Sequence, residues 1–394
     1  MAERHRGRSL QRSNSVLPTY DVIVLGTGGV GSAAMFHLAL RGVKVLGLDR
    51  FPPGHDRGSS HGRTRIIRQA YFEHPDYVPL LKRAYELWED LSQRCGKQLY
   101  HEIGLLQVGQ PDGKVIPGVL ESAQRHGLEV ERLTAREAMA RFPAFRITPT
   151  LEAAVFERHA GYLDVEDCVL AHHTAAQKLG VHVLADRTAT GWRAEGDSVI
   201  VRTRTSEFRA AKLIITAGPW ANSFLGDLGI KLEVRRQPVF WYPIQDDCLR
   251  AAGGCPAYLF DTLGGVFYGI SQVDDWGFKI AQHDCGQVID IPERVDREIR
   301  DGEVRVMDMF ADQLVPRLGR PHLHHSVCLY TMSPDENFIV DLHPRHPQVS
   351  FAAGLSGHGF KFTCVLGEIL ADLALNGRTD HPIGFLNCRR FGTV

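Results

Sequence analysis

The stretch GLSGHGFKF, residues 354–362, puts an imidazole (His358) and an ammonium (Lys361) on a glycine-rich turn. Val365, Leu366, Ile369, Leu370 and Leu373 follow at helical spacing, and the pattern ends at Asn376–Gly377. The turn therefore opens a helix, where unpaired N–H groups and the helix dipole favour negative charge. Lys361 lies between Phe360 and Phe362. It is either an anion ligand or a stem packed along apolar surface with a wet head. Two more cations, Arg65 and Arg68, stand in RTRIIR. A guanidinium suits a planar carboxylate because it binds as a fork. The two share a face on a helical turn and oppose each other on a strand, and a solvated basic turn fits equally well. Lys279 in WGFKIAQH reads as the outward lysine of a strand, with His283 four residues on. Cys328 reads as one buried thiol among eight.

The elements that must position these groups begin with YDVIVLGTGGVGSAAMFHLALRGVKVLGLDR, residues 20–50. Asp21–Leu25 is a short buried strand, Ser32–Arg41 is helical up to Gly42, and Val43–Leu48 is a second buried strand ending at Asp49. Gly26, Gly28 and Gly31 form GxGxxG between the first strand and the helix. Gly26 permits the tight turn, Gly28 lets backbone approach a pyrophosphate, and Gly31 lets helix and strand pack closely. Asp49 is placed to accept from a ribose 2′-hydroxyl. This predicts a bound dinucleotide, with FAD and NAD both open.

Two later segments favour FAD. AAKLIITAGPWANSFL (210–225) reads as a buried strand ending at Gly218 and then a helix. NFIVDLHPRHPQVSFAAGLSGHGFKF (337–362) brings a strand pair and the second glycine loop back beside the first. In HAGYLDVEDCVLAHHTAAQKLGVHVL, Asp164 starts a helix that ends at Gly180, and a strand follows. QPVFWYPIQ (237–245) is an aromatic strand whose Trp241 and Tyr242 read as core.

Bulk properties narrow the classes. The chain has 394 residues, enough for two domains. A net charge of -1 gives no electrostatic footprint for nucleic acid, and no apolar run is long enough for a membrane helix. The eight cysteines contain no CxxC or zinc-finger spacing, so free thiols in the cytoplasm are expected. His322, His324 and His325 read as a surface loop rather than a metal site. Residues 1–19 are polar and basic without apolar periodicity, and read as a disordered leader.

RGSSHGRTRIIRQAY (57–71), SVCLYTMSPDENFIVDLHP (326–344) and GLSGHGFKF occur in the order found in the monomeric sarcosine oxidase family, which the chain resembles over about residues 20–390. That family includes N-methyltryptophan and pipecolate oxidases. The resemblance implies an FAD enzyme that oxidises secondary amino acids with O2 and releases hydrogen peroxide, acting as a monomer. It implies a flavin joined through its 8α-methyl to Cys328. It assigns Arg68 and Lys361 to the substrate carboxylate, Arg65 and His358 to the flavin, Lys279 with His283 to oxygen activation, and Tyr268 and Tyr330 to an aromatic pocket. It further implies cofactor contacts at Val30, Arg50, Ser59, Ser60, His61, Thr64, Trp220, Gly357, Gly359 and Phe360.

The expected fold is α/β (α+β): a Rossmann-like FAD-binding domain of the glutathione-reductase type with a second, mixed-sheet substrate domain. The first would comprise 20–85, 150–225 and 325–394, and the second 86–149 and 226–324. Competing readings are a flavin dehydrogenase that passes electrons to a quinone or protein, an NAD-dependent dehydrogenase, and a catalytically silent nucleotide-binding module.

Overall fold

The computed structural model describes residues 19–148, 151 and 153–392. The predicted leader, apart from Thr19, lies outside the described residues. In chain order the elements are β1 (Thr19–Leu25), α1 (Gly29–Leu40), β2 (Val45–Leu48), β3 (Thr64–Ile67), α2 (Val78–Cys95), β4 (Tyr100–Glu102), β5 (Leu105–Gly109), α3 (Val115–His126), β6 (Glu131–Thr134), α4 (Ala135–Arg141), β7 (Ala153–Glu157), β8 (Gly161–Asp164) and α5 (Val165–Lys178). They continue with β9 (His182–Leu184), β10 (Ala189–Glu195), β11 (Ser198–Thr203), β12 (Glu207–Ile215), α6 (Asn222–Leu225), β13 (Glu233–Tyr242), β14 (Ala257–Thr262), β15 (Gly265–Ile270), β16 (Phe278–Gln282), β17 (Gln287–Ile289), α7 (Asp301–Leu314), β18 (His324–Met332), β19 (Ile339–His343), β20 (His346–Ala353) and α8 (Thr363–Asn376).

The eight-stranded sheet has a parallel heart. β1 lies between β2 and β12, β9 extends it beyond β2, and β20 runs parallel to the second half of β12. Central parallel strands are buried on both faces, which is why VIVL and LII are unbroken apolar runs. The antiparallel pair β10–β11 joins the first half of β12, and β19 folds back on β20. Helix α1 is buried along almost its whole length because α5 and α8 pack against it. Its small residues permit this: a Cβ on Gly367 of α8 would collide with Ala33.

The second sheet has nine strands in the order β17-β13-β16-β15-β14-β5-β7-β6, with β18 on the other edge of β13. Its apolar core, including Tyr258, Phe260, Phe278 and Phe310, is covered by α7. Between the two large sheets a small one, β3-β8-β4, carries the RTRIIR segment. The helix expected after Gly218 is much shorter than its sequence pattern implied. A 3-10 turn, Gly218–Trp220, precedes the single turn of α6, because Gly218 takes φ +51° and Pro219 restricts the chain that follows.

Candidate active site

The first glycine loop closes at the N-terminus of α1. Gly26 sits at φ +89°, and a Cβ on Gly31 would fall inside the van der Waals shell of the Gly26 carbonyl. Both positions therefore need glycine. The second loop ends at α8. A Cβ on Gly29 would meet Thr363 at 2.8 Å and Phe360 at 3.3 Å, so the two loops touch. Two helix N-termini open side by side into one cavity.

That cavity is lined by Gly26, Gly28, Val30, Asp49, Arg50, Ser59, Ser60, Arg65, Gly218, Trp220, Tyr330, Gly357, Gly359 and Phe360. Asp49 ends β2 with Oδ2 2.6 Å from the Thr27 N–H and Oδ1 3.0 Å from the Phe51 N–H. Ser60 Oγ accepts from the Gly29 N–H at 3.2 Å, and Ser59 Oγ donates to the Leu329 carbonyl at 2.5 Å. Thr331 Oγ1 and Thr363 Oγ1 are buried without a hydrogen-bond partner among the described residues, and both residues line the cavity. Buried polar atoms are seldom left in this way, so the wall is shaped for a polar ligand. The glycine approach, the two helix ends and these unpartnered atoms fit a dinucleotide.

A second, smaller cavity shares Arg65, Gly357 and Phe360 with the first. Arg68, Tyr268, His283, His358 and Lys361 line it, together with Ile66, Phe72, Leu259 and Glu73. β3 carries Arg65 and ends at Ile67, so Arg68 follows the strand, and both arginines line this cavity. Arg68 Nη2 lies 2.7 and 2.8 Å from the two Glu73 oxygens, and Nη1 donates to the Ala70 carbonyl at 3.1 Å. The Tyr71 ring lies between two cations, 4.2 Å from the Arg68 guanidinium and 5.2 Å from Lys361 Nζ.

Lys361 Nζ donates to the His358 carbonyl at 2.8 Å, its only hydrogen bond to a described residue. Burial, with Arg68 nearby, pulls this ammonium down to about 7 against the pull of Glu73. His358 is bound through both ring nitrogens, Nδ1 to the Tyr71 hydroxyl at 2.6 Å and Nε2 to the Glu336 carbonyl at 3.0 Å. Burial lowers it to about 3 and lowers His283 as well, so both rings are neutral near pH 7. Burial raises the Glu73 carboxyl, but Arg68, His358 and Lys361 outweigh this and hold it at about 2.

Cys328, His61, Thr64 and Lys279 line neither cavity and lie behind the wall. Cys328 Sγ is 3.2 Å from Arg65 Nη2 and 3.7 Å from the His61 carbonyl. Burial pushes this thiol up, but His61, Arg65 and Lys279 bring it down to about 6. Cys328 is thus the only cysteine held below its usual range among those whose shift is resolved. Lys279 is not the outward strand lysine its sequence context indicates. It is 1% exposed, and Nζ donates to the Gly62 and Thr64 carbonyls at 2.8 and 2.7 Å. Trp241, read as plain core, lies under that ammonium at 5.1 Å. Burial and Arg65 push the Lys279 ammonium well down.

The sequence reading missed Tyr71, Glu73, Thr331 and Thr363. The signal for the first two was their place just after Arg68 in RQAYFE. Tyr268 on β15 and Tyr330 on β18 share a hydroxyl contact of 3.1 Å. His324 and His325 belong to β18 rather than to a loop. Among the described residues, a different group, Asp227, His343 and His346, brings possible ligand atoms within 4.8 Å of one another.

A dinucleotide cleft that opens onto a pocket of buried cations defines a cofactor-dependent oxidoreductase. The sequence profile of the FAD dependent oxidoreductase (DAO) family matches residues 21–373, and the chain belongs to that family. The monomeric sarcosine oxidase of Streptomyces avermitilis is 42% identical over 382 residues, covering 96% of this chain and 99% of the relative. The N-methyl-L-tryptophan oxidase of Citrobacter koseri is 36% identical over 359 residues, covering 90% and 94%. Among solved structures, the open form of NikD, an unusual amino acid oxidase essential for nikkomycin biosynthesis, superposes with a TM-score of 0.82 at 25% identity, covering 94% of this chain and 97% of that one. L-proline dehydrogenase from P. horikoshii shares the fold at a TM-score of 0.82 and 23% identity, covering 96% and 99%.

Proposed function

We propose that the protein is an FAD-dependent oxidase of secondary amino acids, N-methylated or cyclic, with O2 as electron acceptor. The observation that carries this reading is the shared wall: Arg65, Gly357 and Phe360 border both the dinucleotide cavity and the pocket of Arg68 and Lys361. A carboxylate held by those two cations keeps the neighbouring C–N bond at the junction of the cavities. Bound FAD would supply the two-electron acceptor for that bond and return the electrons to O2, giving hydrogen peroxide.

The chain's own residues divide the remaining work. The Gly26–Gly31 loop and the α1 N-terminus would hold the pyrophosphate, and Asp49 would take the ribose hydroxyl. The α8 N-terminus would favour negative charge on the ring end of the cofactor. Arg68 and Lys361 bind and orient the carboxylate. Ile66, Phe72 and Leu259 give the pocket an apolar wall that excludes water. His283 and His358, both neutral, leave no strong base in the pocket, so the substrate reacts as its free amine. Two carbonyl acceptors and the charges of Cys328 and Glu166 favour the Lys279 ammonium against burial and Arg65, and in that charged form it would favour oxygen reduction. Cys328, a buried thiol beside Arg65 just behind the cavity wall, is the residue that would hold the flavin covalently. The eight-stranded sheet forms the nucleotide half and the nine-stranded sheet the substrate half. The enzyme works as a cytoplasmic monomer.

The test is a purified full-length chain assayed for peroxide with sarcosine, N-methyl-L-tryptophan, pipecolate and proline. Peroxide release with at least one of them is expected. Dye reduction without peroxide would replace the oxidase by a dehydrogenase. Acid precipitation should leave yellow flavin in the pellet, and Cys328→Ser should release it to the supernatant.

A further inference from the structure

The strand that carries the arginines is gripped at both ends. At its entry, Glu166 Oε1 accepts from the Gly62 N–H at 2.8 Å, and Oε2 accepts from the Arg63 N–H at 3.1 Å. At its exit, Glu157 Oε1 accepts from the Gln69 N–H at 2.6 Å, and Oε2 accepts from the Ala70 N–H at 3.2 Å. Each carboxylate thus takes two successive backbone amides. Both come from one short stretch, because β8 pairs antiparallel with β3 and lies between them in sequence. Antiparallel pairing puts the residue before β8 at the end of β3 and the residue after it at the start.

Each gripped peptide passes the constraint to a different functional group. The Ala70 carbonyl accepts from Arg68 Nη1 at 3.1 Å, so Glu157 fixes the backbone on which that guanidinium rests. The Gly62 carbonyl accepts from Lys279 Nζ, so Glu166 and Lys279 hold one turn from its N–H and C=O sides. The same turn leads into Arg65, which lies against Cys328. Arg63 takes φ 65° there, a conformation a non-glycine residue keeps only when its surroundings hold it. Glu157 is 4% exposed and contacts neither cavity. Charge-assisted hydrogen bonds to backbone N–H groups are about twice as strong as neutral ones. That makes a carboxylate, rather than a neutral side chain, the effective anchor here.

We propose that residues 157–166 form a two-point clamp on the arginine strand, with Glu157 the positioning residue for Arg68 and Glu166 the positioning residue for the Gly62–Arg65 turn that bears on Lys279 and Cys328. The assignment rests on the reading of Arg68 as carboxylate ligand and Cys328 as the site of flavin attachment. Neither glutamate touches the substrate pocket, so each acts through another residue.

The test separates the two ends in the full-length protein. Glutamine keeps the shape but replaces one acceptor with a donor that faces backbone N–H groups. Glu157→Gln is expected to raise KM and the Kd of betaine, a carboxylate with no reactive amine, about ten-fold, with kcat and the covalent flavin fraction unchanged. Glu166→Gln is expected to lower the covalent flavin fraction after acid precipitation, and to slow iodoacetamide labelling of Cys328 in flavin-free protein about ten-fold, with the Kd of betaine unchanged. If a glutamine variant is insoluble, the aspartate variant withdraws the same charge by one methylene and should give the same split at smaller size. Parallel loss of both sets of properties in both variants, or no change in either, overturns the clamp. Betaine affinity and Cys328 labelling do not depend on turnover. A wild-type protein that oxidises no amine would therefore remove the proposed function and leave this test standing.

Discussion

Arg68 and Glu73 form a buried ion pair lining the second cavity, with one guanidinium nitrogen within 2.8 Å of both carboxylate oxygens. On the proposed function, a substrate carboxylate arriving at Arg68 would meet a carboxylate already there. Glu73→Gln removes that repulsion but also removes a charge that helps keep Lys361 protonated. In a Lys361→Met background, where that titration is absent, only the first effect remains. There the Kd of betaine is expected to fall several-fold on adding Glu73→Gln. An unchanged or weaker affinity would show that Glu73 orients Arg68 rather than competing for it.

Lys361 gives the pocket a titration near neutrality. Its ammonium sits at about 7, lowered by burial and by Arg68 and Arg65 and raised by Glu73. The charged form that attracts a carboxylate is therefore present below about 7 and is lost as pH rises through it. The kcat/KM profile should fall on that alkaline side once the free-amine requirement of the substrate is accounted for. Lys361→Met should abolish this limb and raise KM about 100-fold while leaving the flavin bound. A variant that keeps the limb assigns it elsewhere.

Lys279 lines neither cavity, so it acts on the reaction through its charge and through the Gly62 turn it holds. Lys279→Met fills the same space without that charge. Reoxidation by O2 should slow about 100-fold or more, with anaerobic substrate oxidation by an artificial dye much less affected. Stopped-flow measurement of the two half-reactions checks this, and equal slowing of both would place Lys279 in substrate handling.

Gly31 has no room for a methyl group against the Gly26 carbonyl. Gly31→Ala should force α1 away from the first loop and cost about 3 kcal/mol or more of stability. Urea unfolding of the cofactor-bound protein would measure it. A loss below about 1 kcal/mol would mean that the loop shifts to make room.

The first glycine loop was legible in sequence because its chemistry is local. Gly26, Gly28, Gly31 and Asp49 all lie in one βαβ unit, whose strand and helix periods are visible in the residues themselves. Lys279 was not legible in this way. A lysine within an alternating strand reads as solvent-facing, and its burial depends on the turn after His61, more than two hundred residues away in the chain. The resemblance to sarcosine oxidases singled out Lys279 and Cys328, but it did not convey what holds them. Glu157 and Glu166 had no signature, because their partners are backbone amides and any residue can supply those. The short α6 misled for a simpler reason: Gly218 and Pro219 govern that turn more strongly than the apolar spacing after it.

The two glycine loops lie more than three hundred residues apart in sequence but share a wall through Gly29, Phe360 and Thr363. Synthesis places the first loop outside the ribosome long before the second has been made. Until β20 and α8 emerge, α1 lacks one of the two helices that bury it and the cleft has only one side. Cofactor capture would therefore follow the synthesis of α8. Flavin supply would govern the yield of folded enzyme after that point, rather than guide the early steps of folding.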